Sequence, residues 1–197
     1  MYMNGNMSDL ELVNAAKTGD LQAFDVLVKR YEEKFLNVAY RTIGNRDEAQ
    51  DVLQKTFLKI YKGLPTFQQR SQFSTWAYKI LMNTCKNHLS SLSIRIKKFF
   101  IPIDKKLYNQ DGDIIPFQME DKNNSTKKML ESNEKNRLIQ QAIDSLPKDK
   151  RTIIILRALE GLSYEQITEI TGVKTGTVKT RIFRAREILQ KELEGVL

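Results

Sequence analysis

Two residue types that commonly bind metals lie close together in this chain, namely Cys85 and His88. Three residues apart on a helix, they would share a face and could contact the same ion. They are the only cysteine and the only histidine of the sequence, so no further Cys or His completes a zinc site and no internal disulfide can form. The pair is therefore interpreted as ordinary helix residues, and no metal or other cofactor is expected.

The usual signatures of an enzyme that acts on nucleic acid are also missing from the sequence. It contains no glycine-rich phosphate loop, no pair of acids placed with a base and no cluster of metal ligands. We therefore expect neither catalysis nor a small-molecule ligand.

The strongest concentration of charge lies between residues 174 and 191. This segment holds six basic residues and one acidic residue, a net charge of +5, whereas the whole chain of 197 residues carries +8. The basic residues fall outside an apolar stripe at steps of four, three and four residues, formed by Val178, Ile182, Ala185 and Leu189. A helix with this pattern buries one face and presents a basic one, which favours binding to the phosphates of a DNA duplex.

A short helix and a tight turn precede the basic helix. Ser163 and Gln166 have the spacing of a capping box, which predicts a helix over Tyr164–Thr171. Gly172 can adopt the positive φ of a tight turn, and the second helix is predicted to begin near Thr175. This is the pattern of a helix-turn-helix, whose second helix usually lies in the major groove. The alternative is a solvated helical hairpin, which the capping box, stripe and charge together disfavour.

The elements that must position this motif are predicted to be helices as well. Before residue 91 we expect three or four helices, separated at Gly19-Asp20 and Gly44-Asn45. Asp47 is expected to cap the third helix, and the loop 64–72 leads into a further helix.

Periodicity is lost between about residues 91 and 133, a segment that contains Pro102 and Pro116. A connector of this length is too long for the inside of a compact domain, so it predicts a linker between domains at 8–90 and 134–197. Four helices are expected after it, and no segment shows the alternation of a strand. The predicted fold class is therefore all-α, with two small helical domains joined by a flexible linker and a helix-turn-helix in the second.

The bulk composition is that of a folded, basic protein. Hydrophobic residues make up 41% and charged residues 28% of the chain. No apolar run approaches the roughly 18 residues of a membrane span, and the first residues lack a signal pattern. We expect a cytoplasmic protein without membrane insertion. The positive charge favours nucleic acid or anionic membrane as a partner, but charge alone barely separates these from no such partner.

The helix-turn-helix closely resembles the promoter-binding C-terminal domain of the extracytoplasmic-function (ECF) sigma factors. Segments 159–167 and 176–186 carry this likeness. Independently, residues 47–57 resemble the polymerase-binding helix of the family, and residues 73–87 resemble its helix for the promoter element nearer the start site. Three motifs in the right order, separated by a linker, are far more specific than one helix-turn-helix.

The resemblance covers about residues 8–90 and 134–195, and it implies roles for individual side chains. The residues that would face bases of the minus-thirty-five element are Lys179, Thr180, Phe183 and Arg184. Those that would contact its phosphates are Arg157, Thr177, Arg181 and Arg186. The minus-ten element would be contacted by Trp76, Lys79, Asn83, Lys86 and Asn87. Phe67 or Phe73 could contribute by stacking on an opened base. Core packing is the alternative for Trp76 and Phe73, and for Trp76 it is the stronger interpretation.

The resemblance also implies partners. Asp51 and Gln54 would contact core RNA polymerase, although Lys55 stands where the family commonly has an acid. Promoter DNA and an anti-sigma protein are the other implied partners, with a stress or envelope-signal regulon. An ordinary helix-turn-helix regulator with an N-terminal ligand or dimer domain would explain residues 163–191 equally well. It would not explain the likeness of residues 47–57 and 73–87.

Overall fold

The computed structural model describes residues 7–99 and 127–194, and every regular element in these ranges is helical. The first four helices are α1 (Asp9–Lys17), α2 (Leu21–Ile43), α3 (Arg46–Gly63) and α4 (Phe73–Phe99), with a 3-10 turn at Leu64–Thr66. The second four are α5 (Lys127–Ser145), α6 (Lys148–Ala158), α7 (Tyr164–Thr171) and α8 (Thr175–Leu193). The all-α prediction with two helical domains is confirmed. The interior of the predicted linker, residues 100–126, lies outside the described residues.

Local side-chain chemistry sets the first helix ends. Ser8 caps α1 in a capping box: its hydroxyl accepts from the Glu11 amide at 3.3 Å, and the Glu11 carboxylate accepts from the Ser8 amide at 2.7 Å. Helix α2 ends at Gly44, whose φ of +85° is a conformation that side chains disfavour.

The predicted cap of α3 was wrong by two residues. Asn45, not Asp47, is the cap, because its side-chain oxygen accepts from the Glu48 amide at 3.0 Å. The left-handed Gly44 reverses the chain so sharply that Asn45 is already extended and α3 can begin at Arg46. Asp47 lies in the first turn of α3, where its charge complements the positive end of the helix dipole.

The helices that flank the predicted linker reach further than periodicity indicated. Helix α4 continues to Phe99, and α5 begins at Lys127. The sequence after residue 89 loses its apolar stripe but contains no Gly or Pro before residue 102, so nothing ends the helix. Its serines bond locally instead: the Ser90 hydroxyl donates to the Lys86 carbonyl at 2.9 Å. The domain limits 8–90 and 134–197 stay a prediction.

Aromatic residues form the core of the first four helices. Phe35 of α2 is fully buried and lies 4.9 Å from the ring of Tyr78 and 5.7 Å from that of Phe57. The second four helices pack aliphatic side chains instead, with Ile153–Leu156 of α6 buried against Ile167 and Ile182. Close packing of these aromatic rings holds α4 in place, and it therefore also fixes the position of the α4 residues that lie outside this core.

The two groups of helices contact each other directly. Helix α4 packs against α7, and α2 packs against α6. The Tyr78 hydroxyl donates to the Glu160 carboxylate, and the Gln166 amide donates to Gln72 Oε1 at 3.0 Å. Buried residues from both groups form one continuous apolar cluster.

Candidate nucleic-acid interface

Helix α8 has the two faces that its sequence predicted. Val178, Ile182 and Ala185 of the predicted stripe are buried, whereas Leu189 near the end of the helix is only half-buried. Gly172 has a φ of +71° in the turn before the helix. The capping box is present as well: the Ser163 hydroxyl accepts from the Gln166 amide at 3.1 Å. These contacts fix α8 on α6 and α7, so its outer face is held rigidly by the buried one.

The four residues predicted to face bases lie together on that outer face, and all are exposed: Lys179, Thr180, Phe183 and Arg184. Phe183 is 63% exposed, which is unusual for a large aromatic side chain in water. The apolar ring of Phe183 is suited to contact the methyl group of a thymine. The neighbouring cations are suited to donate hydrogen bonds to acceptor atoms on base edges.

The four residues predicted to contact phosphates are in three different situations. Thr177 and Arg186 are exposed on α8. Arg181 is part of an ion pair, with its Nε 3.2 Å from Asp149 Oδ2. Arg157 lies on α6, and its Nη1 donates to the Leu162 carbonyl at 2.7 Å, so the guanidinium is anchored to the α6–α7 loop.

Tyr164 was not singled out by the sequence, although two of the predicted DNA-contacting cations lie against its ring. Its ring centroid is 5.0 Å from the Arg157 guanidinium carbon and 5.6 Å from Lys179 Nζ. Both distances are within the range of cation–π attraction. The signal that could have identified Tyr164 is an aromatic residue at the first position of the helix-turn-helix. Its partner cations lie on α6 and α8, however, and their approach to the ring depends on the fold.

Glu165 lies beside the same cations. Its own backbone amide and the Ser163 hydroxyl hold the pKa of the Glu165 carboxyl below its usual value, and Lys179 and Arg157 lower it further. The carboxylate therefore stays charged and reduces the positive charge at one edge of the face.

The predicted minus-ten residues follow helix α4. Lys79, Asn83, Lys86 and Asn87 are all exposed. Asn83 and Lys86 line a cavity of about 540 Å³ between α4 and helices α6 and α7, together with Met82, Leu89, Lys148 and Ile170. Lys79 and Asn87 lie outside this cavity lining.

The aromatic residues near the loop 64–72 pack on one another. The Trp76 ring centroid is 4.8 Å from that of Phe67 and 5.9 Å from that of Phe73. Phe67 and Phe73 are each 6% exposed, so neither ring offers a face to an opened base in this arrangement. A Cβ on Gly63 would approach the Trp76 ring to 3.0 Å, so Trp76 also fills the space beside the end of α3.

Helix α3 presents a stripe that is polar at its start and apolar at its end. Asp51 and Gln54 are exposed as predicted, and so is Lys55. Further along the same stripe Leu58 is 60% and Tyr61 43% exposed, and sequence reasoning missed both. Large apolar residues at this spacing are typical of the buried face of a helix. Only the packing of α2 and α4 on α3 shows that this side of α3 is uncovered.

Two family descriptions match the chain on either side of the linker. Residues 27–93 match Sigma-70 region 2, and residues 136–189 match Sigma-70, region 4. The chain is 39% identical over 191 residues to the RNA polymerase sigma-H factor of Pseudomonas aeruginosa, which covers 96% of this chain and 95% of the relative. The ECF RNA polymerase sigma-E factor of Haemophilus influenzae is 36% identical, over 99% of this chain and 100% of the relative. The chain belongs to the ECF sigma factors.

Solved structures share the fold of this sigma factor over nearly its whole length. CnrH, in complex with the cytosolic domain of CnrY, has a TM-score of 0.69 at 21% identity and covers 95% of this chain and 97% of its own. The sigma factor RpoE of Bartonella quintana, in complex with the anti-sigma factor NepR, has a TM-score of 0.59 at 22% identity, with coverage of 94% and 93%. The predicted resemblance is thus confirmed: the chain is a promoter-directing sigma factor of RNA polymerase.

Other features of this sigma factor do not form a reactive site. Cys85 is buried, and burial raises the pKa of its thiol to about 12, so the nucleophilic thiolate does not form at neutral pH. His88 Nε2 lies 2.9 Å from Glu48 Oε2. Among the side chains that the structure describes, in residues 7–93 and 134–194, no group of three or more His, Cys, Asp or Glu is placed to hold a metal. None of the helices described there is long and apolar enough to cross a membrane.

Proposed function

We propose that this sigma factor reads the minus-thirty-five element through the exposed face of α8. The observation that carries the proposal is the placement of Lys179, Phe183 and Arg184 on one exposed face above a buried stripe. Arg and Lys suit guanine edges, whereas Phe and the methyl group of Thr180 suit a thymine methyl.

The phosphate contacts would hold that face in register. Thr177 and Arg186 are exposed beside the base-facing residues, and Arg157 is anchored on the neighbouring helix. Arg181 would exchange its pairing with Asp149 for a phosphate. Contacts of this kind position a domain and make its affinity strongly dependent on salt, but they carry no sequence information.

The opened minus-ten strand would be bound along α4. Lys79 and Lys86 supply charge for phosphates, while Asn83 and Asn87, four residues apart on one face, offer amides to base edges. For Trp76, the contacts with Phe67 and Phe73 support a role in holding the loop 64–72 against α4 rather than direct stacking on a base.

Core polymerase would dock on the exposed stripe of α3. Asp51 and Gln54 provide polar contacts, and Leu58 and Tyr61 extend the stripe with apolar surface that suits the centre of a protein interface. Lys55 lies within this stripe, at a position where the family commonly has an acid. We therefore expect the polymerase surface that contacts Lys55 to differ in charge from a polymerase surface that contacts an acidic residue.

The location, the lack of catalysis, the anti-sigma partner and the regulon are inferred from membership of the sigma factor family. The sigma factor acts with polymerase in the cytoplasm and has no catalytic activity of its own. An anti-sigma protein restrains it, as the complexes of CnrH with CnrY and of RpoE with NepR suggest by likeness. The regulon serves a stress or envelope signal.

Run-off transcription by purified core polymerase on genomic promoter fragments tests the proposal. Adding the protein should produce discrete new transcripts, and Arg184→Ala should reduce them about tenfold or more, since one base contact contributes about 1–3 kcal/mol. Gln190→Ala, at an exposed position of the same helix, is the matched control and should leave transcription unchanged. If the protein binds duplex DNA tightly by itself and core polymerase gains no promoters, it is an ordinary helix-turn-helix regulator.

A further inference from the structure

We propose that helix α1 holds the loop 64–72 in place beside the strand-binding side of α4, with Asn14 and Lys17 as the positioning residues. Their hold on the loop then determines how strictly the sigma factor selects among minus-ten sequences. The inference rests on the proposed function, because it concerns the strand that would bind along α4. Both residues lie outside the segments 47–57 and 73–87, which carry the family resemblance of the first four helices.

The loop contains an uncommon backbone conformation at Gln69. Its φ is +55°, and among the residues that the structure describes it is the only residue other than glycine with a positive φ. Such a conformation is disfavoured for residues that carry a side chain, so it persists only where neighbouring contacts hold it. Gln69 is exposed, so burial of its own side chain does not explain the conformation.

Two side chains of α1 supply the contacts that hold the loop. Gln69 Nε2 donates to Asn14 Oδ1 at 2.8 Å. Lys17 Nζ donates to the Phe67 carbonyl, and the same ammonium lies 5.6 Å from the centroid of the Phe67 ring. Asn14 and Lys17 are three positions apart on the helix, so they share one face of α1. This face therefore contacts the loop at two points, Phe67 and Gln69.

Helix α1 can support the loop because its own position is fixed. Leu12 and Val13 are fully buried, and α1 packs against α2 and against the 3-10 turn that begins the loop. On the other side of the loop, Phe67 is buried against the ring of Trp76 in α4. The loop is thus held between α1 and the first turns of α4.

The neighbours of Gln69 are the part of the loop that could contact a strand. Gln68 and Arg70 are both exposed. An amide can donate to and accept from a base edge, and a guanidinium suits a guanine edge or a phosphate. Lys79, which is proposed to bind the strand, lies six positions after the start of α4 at Phe73, which is roughly 9 Å of helix. A strand bound at Lys79 can therefore extend to Gln68 and Arg70.

The position of the loop should affect selection among sequences more than general affinity. A hydrogen bond to a base edge depends on distance and direction, so discrimination between bases weakens when the donor or acceptor moves freely. Attraction between a cation and a phosphate is less directional and carries no sequence information. Releasing the loop should therefore reduce base discrimination and leave the attraction of Lys79 and Lys86 for the strand unchanged.

Limited proteolysis of the full chain tests whether α1 holds the loop. The double variant Asn14→Ala, Lys17→Met removes the acceptor of Gln69 and the ammonium that contacts Phe67. The matched control, Asn37→Ala and Lys34→Met, makes the same changes at exposed positions of α2. Trypsin should cleave after Arg70 about fivefold faster or more in the double variant than in the control, because cleavage requires local opening of the loop.

Mass spectrometry at early times measures cleavage at this bond separately from cleavage elsewhere. The control should be cleaved after Arg70 at the rate of the original chain. Equal rates in the double variant and the control would overturn the inference, since the loop would then keep its conformation without α1.

Transcription from a template pool tests the effect on selection. The templates carry randomised base pairs at the minus-ten element of a promoter that the sigma factor uses, and a barcode in the transcribed region identifies each one. With core polymerase, the preference for the favoured base should fall about threefold or more in the double variant, in line with the loss of one or two hydrogen bonds. Asn14→Asp keeps an oxygen that accepts from Gln69, and this variant and the control should keep the original preference.

The pattern of loss separates positioning from a general structural role. Unchanged base preferences in the double variant would overturn the inference, and so would an equal loss of transcription from every template. Binding of the labelled variants to core polymerase should stay equal to that of the original chain. If the original chain with core polymerase selects no minus-ten sequence, the proposed function fails, whereas the hold of α1 on the loop is judged by proteolysis without DNA.

Discussion

Tyr164 brings together two cations that are assigned different tasks on DNA. Arg157 is expected to contact a phosphate and Lys179 a base, and both lie against the same ring at 5.0 and 5.6 Å. Long basic side chains lose rotamer entropy when they bind. A ring that restrains both cations before DNA binds would reduce that loss, so we expect Tyr164 to act as a positioning residue.

Replacing Tyr164 with Leu should therefore weaken duplex binding. We expect a loss of about fivefold in affinity, since each cation–π contact contributes about 0.5–1 kcal/mol at an exposed site. Tyr164→Phe keeps the ring and should bind within twofold of the original. Titration of a selected minus-thirty-five duplex by both variants measures this. A Phe variant as weak as the Leu variant would show that the hydroxyl matters and that the ring does not.

At the scale of elements, the turn between α7 and α8 sets the angle of the reading helix. Gly172 ends α7 with a φ of +71°, and its amide donates to the Thr168 carbonyl at 2.8 Å. An added Cβ would meet nothing within 4 Å there, and the same holds for Gly176 in α8, which has no positive φ. The two glycines therefore differ in backbone strain and not in available space.

Gly172→Ala should destabilise the protein by about 1–2 kcal/mol, because a side chain disfavours the left-handed region. For a chain of this size the melting temperature should fall by roughly 2–8 °C. Gly176→Ala is the matched control and should leave the melting temperature unchanged or raise it slightly, since alanine favours a helix. Thermal unfolding followed by circular dichroism separates the two. Equal effects at both positions would exclude backbone strain as the cause.

At the scale of the whole molecule, the proposed function gives the chain two separate DNA contacts, whose distance from each other we expect polymerase and the linker to set. Joining two binding sites raises the overall affinity about 10²–10⁴-fold over either one, provided that the geometry allows both to bind. Promoter selection then depends on the spacing of the two elements as much as on their sequence.

Inserting five base pairs between the two elements should abolish transcription by this sigma factor. The insertion turns one element by about half a helical turn, because the duplex repeats every 10–10.5 base pairs. A single base-pair insertion should reduce the transcript much less. Run-off assays on the two templates compare these outcomes, and a transcript that tolerates the five-pair insertion would contradict simultaneous binding of both elements.

The recognition helix and its turn could be predicted from the sequence almost to the residue. The capping box of Ser163, the turn at Gly172 and the buried stripe of α8 depend only on residues within about 20 positions of one another. The cap of α3 was missed by two residues because Asn45 and Asp47 are both good capping types, and the conformation of Gly44 decides between them. The length of α4 was underestimated because a helix can continue where its apolar stripe ends.

What the sequence by itself determined is the all-helical fold, the order of its motifs and the basic face of α8, since helix periodicity and charge are local properties. Only the tertiary structure decided what lies against those helices. It placed Trp76 on Phe67, left Leu58 exposed and brought Tyr78 to Glu160, 82 positions further along the chain. Such contacts depend on how separate helices pack around a shared core, and no spacing within a single helix encodes that packing.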